Sequence, residues 1–179
     1  PNSEYEAHAH YDFFEIYWFL DGDLAFSLEG ERIAIRPGDM LILCNNLLHR
    51  PIIQVPCRYH RKRILFQKDA FVRLGEGGYT LQQNLLGKQA LKYDAEEIRS
   101  IGLDRMFEDI GQALGDHTEY GDFTANVLLM HFLIAADRAC RWSASGQNAP
   151  RPGKVHEIIR YIDSHLSEDL NIDELAQQF

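Results

Sequence analysis

Four side chains near the start of the chain are of the type that hold metal ions: His8, His10, Glu15 and, further on, His49. Imidazole and carboxylate are the ligands that divalent Zn, Fe, Ni or Cu accept. His8 and His10 are two residues apart, so in an extended strand both point to the same face. Glu15 lies an odd number of residues after His10 and would point away from them in an unbroken strand. Convergence therefore requires a bulge or a break near Asp12-Phe13. Without a metal, the same groups would line a pocket, and the histidines could then respond to pH near neutrality.

The elements that must position these groups read as short strands. Phe14 to Leu20 is aromatic and β-branched. Asp21-Gly22 is a hairpin signal, Glu29-Gly30 a second turn and Pro37-Gly38-Asp39 a third. Between them Leu24 to Leu28 and Arg32 to Arg36 alternate, the latter with Ile33 and Ile35 inward. Met40 to Leu43 is an apolar strand, and Arg58 to Phe66 holds another. In that last strand Arg61-Lys62-Arg63 is expected to form a solvated face rather than a nucleic-acid patch. Even, close spacing of short strands implies a small antiparallel barrel or sandwich. One parity of the first strand, Glu15, Tyr17 and Phe19, is expected to face the interior, where an aromatic ring could stack on a ligand.

After a loop at Gly75-Glu76-Gly77-Gly78 the apolar period becomes helical, from Glu96 to Leu114 and again from Asp122, as N-cap, to Arg141. The second helix is apolar nearly all round between Val127 and Ala136, which demands burial on more than one side and makes a partner subunit a candidate cover. That stretch is interrupted by His131 and is too short to span a bilayer. Residues 143 to 153 (SASGQNAPRPG) have linker composition. Beyond them Val155, Ile158, Ile159, Ile162 and Leu166 form a helical stripe. Asn171 and Glu174 then resemble a capping box opening a further helix, with Leu175 and Phe179 inward.

Composition sets limits on function. The chain has 179 residues, 45% apolar and 25% charged, with a net charge of −9. That balance suits a globular domain and disfavours diffuse binding to nucleic acid. Cys44, Cys57 and Cys140 are too few and too scattered for a disulfide framework, so buried free thiols in a reducing, cytoplasmic setting are expected. The chain opens without Met and stops within a predicted helix, as a piece of a longer protein would.

Two resemblances organise these features. His-x-His, four residues, Glu, six residues, Gly, realised from His8 to Gly22, resembles the first motif of the cupin superfamily. The second cupin motif is Gly, five residues, Pro-x-Gly, two residues, His, three residues, Asn. Counted from Gly38, its Gly and His fall on Gly38 and His49, whereas Cys44, Asn46 and Ile53 stand in place of its Pro, inner Gly and Asn. The resemblance implies that His8, His10, Glu15 and His49 are the ligands of a divalent metal such as Zn, Ni, Fe or Mn, although no cofactor is required. The departures bear on occupancy more than on fold.

The order of barrel, helical pair, proline-containing linker and helix-turn-helix start resembles the AraC family of bacterial transcription regulators. HEIIRYIDSHLSEDLNIDELAQQF is similar to the opening of that family's DNA-binding domain, with Asn171, Leu175 and Ala176 belonging to the scaffold of the first helix-turn-helix. The resemblance implies a mainly β fold with α: a cupin-like effector barrel over 1–95, a helical dimerisation segment over 96–142, a linker over 143–153 and a truncated helix-turn-helix segment over 154–179. It implies a small-molecule effector, a sugar among the candidates, bound near His10, Glu15, Tyr17, Phe19 and His49. A homodimer, DNA binding through the complete C-terminal domain, and no membrane or enzymatic role are also implied. Arg151, Lys154 and Arg160 are outnumbered in the tail by Glu157, Asp163, Glu168, Asp169, Asp173 and Glu174, so these residues alone lack the cations that phosphates need. The alternative is a metal-dependent cupin enzyme, a dioxygenase or isomerase, for which the tail has no use.

Overall fold

The computed structural model describes residues 5–53, 57–72, 75–88, 90–142, 157, 158, 161, 162, 165 and 169–179. Its first half is two antiparallel sheets. The strands are β1 (Phe13–Asp21), β2 (Leu24–Leu28), β3 (Glu31–Ala34), β4 (Met40–Leu43), β5 (His49–Ile53), β6 (His60–Gln67) and β7 (Ala90–Tyr93). One sheet has the order β6-β1-β4-β7 and the other β3-β2-β5. The period-two pattern of β1 assigns its two faces. Tyr17 and Phe19 join Phe26, Leu28, Leu41 and Leu43 in one apolar cluster. Phe14, Ile16 and Trp18 face the other way, into a second cluster shared with the helices.

Three turns were legible, but one leads elsewhere than expected. Glu29-Gly30 closes a tight β2–β3 hairpin, with Leu28 opposite Glu31. Pro37-Gly38 closes a turn in which the Asp39 amide donates to the Arg36 carbonyl at 2.9 Å, while the Arg36 amide donates to Asp39 Oδ2 at 3.0 Å. Asp21-Gly22 is not a hairpin: β1 pairs with β4 and β6, and β2 pairs with β3 and β5. The chain crosses between sheets there. Gly22 has φ 136°, and a Cβ would approach the Arg58 carbonyl oxygen to 2.8 Å, so the glycine serves the crossover's close approach.

The helices follow: α1 (Gly75–Lys88), α2 (Ala95–Ile101), α3 (Leu103–Leu114), α4 (Gly121–Trp142) and α5 (Ile172–Gln178). Residues 75–78, read as a loop, open α1, because Leu81 and Leu85 bury its inner face despite a glycine-rich first turn. Strand β7 follows α1 and completes the sheet edge beside β4. The helix expected over 96–114 is two helices, broken at Gly102, whose φ of 85° is left-handed. Asp94 starts α2 with a capping box to Glu97.

Helix α4 packs Leu129, Met130, Phe132, Leu133 and Ala136 into the core. It begins at Gly121, so Asp122 lies in its first turn rather than at the cap. Tyr93 donates from its hydroxyl to the Ala136 carbonyl at 2.7 Å, and Lys88 reaches Asp137 at 2.8 Å, tying α4 to β7 and α1. The helix is not buried all round. Phe123 is 69%, Val127 52% and Ile134 44% exposed. Gly121–Cys140 is also long and apolar enough to cross a membrane by length and composition, unlike the shorter stretch read in sequence, but one face of it is core.

The linker at 143–153 and Val155, Ile159 and Leu166 lie outside the described residues. Ile158 and Ile162 are helical and half-buried. Asn171 caps α5 by accepting from the Asp173 amide at 2.9 Å. Leu175 and Phe179 are half-buried, Ala176 is exposed, and the Phe179 ring meets Tyr161 edge-on with centroids 5.6 Å apart.

Candidate metal and ligand site

The break that Glu15 requires is present. His8 exchanges both backbone hydrogen bonds with His49 on the outer strand β5, at 3.1 and 2.9 Å. Residues 9–12 then leave the strand conformation, with a bend at Tyr11-Asp12, and β1 begins at Phe13. The Asn46 amide donating to the His10 carbonyl and the Asn45 side chain donating to the Tyr11 carbonyl hold the bend. The chain has thereby passed from one sheet to the other, and Glu15 faces back toward the histidines.

The three histidines converge, and Glu15 approaches two of them. Nε2 of His10 and Nε2 of His49 each lie 3.3 Å from Glu15 Oε2. Ligand nitrogens of His8, His10 and His49 can be chosen within 4.8 Å of one another. Glu15 and His49 are each only 4% exposed. Yet neither Nε2 nor Oε2 makes a hydrogen bond of proper geometry among the described residues. Buried polar atoms rarely go without a partner, so three aimed at one point need an explanation.

Ring tautomers supply it. His49 Nδ1 donates to the Leu47 carbonyl at 2.9 Å, and His8 Nδ1 donates to the Glu6 carbonyl at 3.0 Å, since a carbonyl can only accept. In its neutral form His49 therefore turns an Nε2 lone pair toward Glu15 Oε2. A metal-ligating histidine is oriented this way, its other nitrogen bound to a carbonyl. Two ligands on a tetrahedral Zn stand about 3.3 Å apart, given bonds of about 2.0 Å. The three histidines are a donor set that would fit a divalent metal, and Glu15, beside His10 and His49, is placed to add a fourth ligand.

Electrostatics agree with charge concentrated at this point. Burial alone would raise the Glu15 pKa, but attraction to His49 in its protonated form, and then the charges of His10 and Arg63, bring it below the usual carboxylate value. Desolvation lowers His10, and His49 and His8 add to that, against the opposing pull of Glu15.

Departures from the second cupin motif do not displace His49. Asn46 stands where that motif has Gly and adopts φ 63°, a left-handed conformation that Asn tolerates better than most residues. Cys44, in place of Pro, is buried, donates from Sγ to the Leu85 carbonyl at 3.1 Å, and has its thiol pKa raised by desolvation.

Tyr17 and Phe19 lie on the Glu15 parity but are almost fully enclosed, at 2% and 0% exposure, so they are walls rather than open surface. The tail residues Asn171, Leu175 and Ala176 are on α5 and have no part in this cluster. The sequence reading placed the strand β6 but not the part its inner face plays. Arg61 is not simply solvated: its guanidinium stands over the rings of Tyr59 and Tyr17, 5.1 and 5.8 Å from their centroids. The alternating pattern Tyr59, Arg61, Arg63 was the available signal.

No match to curated proteins was found. The family model of the AraC-like ligand binding domain matches residues 1–133, from the N-terminal segment through both sheets into α4. With the sheets, the cluster and this match together, the chain belongs to the AraC-like ligand-binding domain family.

Proposed function

We propose that this chain is the effector-sensing and dimerising region of an AraC-type transcription regulator, in which a metal at the His8–His10–Glu15–His49 cluster forms one wall of the effector site. The observation that carries the reading is the set of His10 and His49 Nε2 and Glu15 Oε2 atoms without hydrogen-bond partners among the described residues, in a chain of a sensory-domain family. A bound divalent ion would supply positive charge and a coordination position for an oxygen of the effector. The effector, a small molecule with sugars among the candidates, acts by binding two arrangements of the molecule unequally.

The free face of α4 supports dimerisation. Phe123, Val127 and Ile134 fall within about 40° of one another around a helix of 3.6 residues per turn, and all three are exposed. A homodimer would bury this stripe. In the tail, the Tyr161–Phe179 contact and the capped α5 suit the start of a helix-turn-helix, whose recognition helix would lie beyond Phe179.

The test is selection of DNA from a random pool by the full-length regulator, with Zn²⁺ present and after chelation. Enrichment of a sequence motif supports the reading; no enrichment in either state overturns it. The histidine–glutamate set also suits a cupin oxygenase or isomerase. Stoichiometric Fe or Mn accompanied by turnover would favour that enzyme.

A further inference from the structure

Arg61 and Arg63 on β6 lie opposite Phe19 and Tyr17 on β1. Directly opposed residues share a face, so both arginines project on the side that carries Glu15, beside the cluster described above. Arg61 is half-buried and makes no ion pair among the described residues. One of its N–H groups is donated to the Tyr59 hydroxyl. Arg63 makes neither a hydrogen bond nor an ion pair among the described residues, though it is near enough to lower the Glu15 pKa.

Counting donors shows what is unspent. Tyr17 and Tyr59 hydroxyls are 2.7 Å apart. An arginine N–H and two phenol O–H groups therefore meet only two phenol oxygens. Whichever way the Tyr17–Tyr59 bond runs, one O–H has no acceptor among the described residues. Arg61 keeps its other N–H donors, and the two rings hold its guanidinium in place. The group is thus preorganised, with little freedom left to lose on binding.

We infer that Arg61, Arg63 and the Tyr17–Tyr59 pair form an anion subsite that receives the carboxylate of a small organic acid, a sugar acid included. A guanidinium offers parallel N–H donors matched to a planar carboxylate, and the spare phenol O–H adds a third. The rings of Phe19, Tyr17 and Tyr59 around the guanidinium suit the apolar body that an organic acid carries and inorganic phosphate lacks. The inference rests on the sensory reading above and specifies the effector's class.

The test is an NMR titration of the Arg61 and Arg63 side-chain Nε–Hε resonances in the intact chain. The probes are benzoate, benzamide and inorganic phosphate at constant ionic strength. Benzoate is expected to shift both resonances saturably, and benzamide neither. Arg63→Gln should weaken benzoate about tenfold or more, and Tyr59→Phe, which keeps the ring, several-fold. The Tyr59 variant keeps the test decisive if Arg61→Gln fails to fold. No saturable shift with benzoate, equal binding of benzamide, unchanged affinity in the variants, or phosphate binding tighter than benzoate would overturn the inference. If the intact regulator selects DNA while benzoate does not bind, only the carboxylate assignment is lost. If benzoate binds and no DNA is selected, the regulatory reading is lost and the subsite stands.

Discussion

His49 Nε2 and Glu15 Oε2 face each other at 3.3 Å, both groups 4% exposed, without a hydrogen bond between them. With Nδ1 of His49 committed to the Leu47 carbonyl, a neutral ring sets a lone pair against a carboxylate. An amide in place of the carboxylate could donate to that lone pair. In chelator-treated protein at pH 8, above the ordinary imidazole range of about 6.5, Glu15→Gln should therefore raise stability by about 1 kcal/mol. With Zn²⁺ the order should reverse. Urea unfolding of both forms with and without metal checks this, and a destabilised metal-free variant would count against it.

Acid should weaken the metal-free fold in two stages. His10 has its pKa lowered below 6.5, so the unfolded chain takes up that proton more readily, and stability falls as pH drops below about 6.5. Glu15 has its pKa lowered below 4.5, so its contribution is full above that value and is lost as pH falls through its folded pKa. Metal binding needs neutral imidazoles and ionised carboxylate, so the stabilisation by Zn²⁺ should shrink over the same acid range. Thermal melts from pH 8 to 4, with and without Zn²⁺, read both effects.

Asn46 offers a backbone test. At φ 63°, Asn46→Ala should cost about 1–2 kcal/mol, while Asn46→Gly should be much better tolerated, because glycine carries no Cβ penalty there. Chemical denaturation distinguishes the two; equal losses would show that the side chain rather than the backbone matters.

The exposed stripe of α4 predicts its own oligomeric test. Val127→Asp places a charge among Phe123, Val127 and Ile134 on a face that is already solvent-exposed in the monomer. It should leave the fold intact and shift sedimentation from dimer to monomer. A wild-type chain that sediments as a monomer at all concentrations would remove the dimer proposal.

Much of the β half was readable because alternation and turn chemistry are local. Met40–Leu43 and the Glu15-Tyr17-Phe19 parity required no tertiary information. A break near Asp12-Phe13 was inferred from a parity conflict among ligand-type residues, which is also local, and the structure has it over residues 9–12. What sequence could not disclose depended on partners. Asp21-Gly22 carries the chemistry of a hairpin turn, but the choice to cross sheets lies in the pairing of β2 with β5. Gly75 to Gly78 is helical only because Leu81 and Leu85 find a buried surface. Gly102 could have been tolerated inside a helix, and its left-handed φ is a tertiary outcome. Arg61 looked solvated because Tyr17 reaches it from β1, and only Tyr59, two residues away, was a local clue.

The central claim is that His8, His10, Glu15 and His49 act as one binding centre rather than as packing. Calorimetric titration of chelator-stripped protein with Zn²⁺ tests it most directly, alongside Glu15→Gln and His49→Ala variants with circular dichroism confirming their folds. The account predicts saturation at one ion per chain in the wild type and a loss of affinity of about tenfold or more in each variant. Absence of saturable binding, or equal affinity in folded variants, would contradict it.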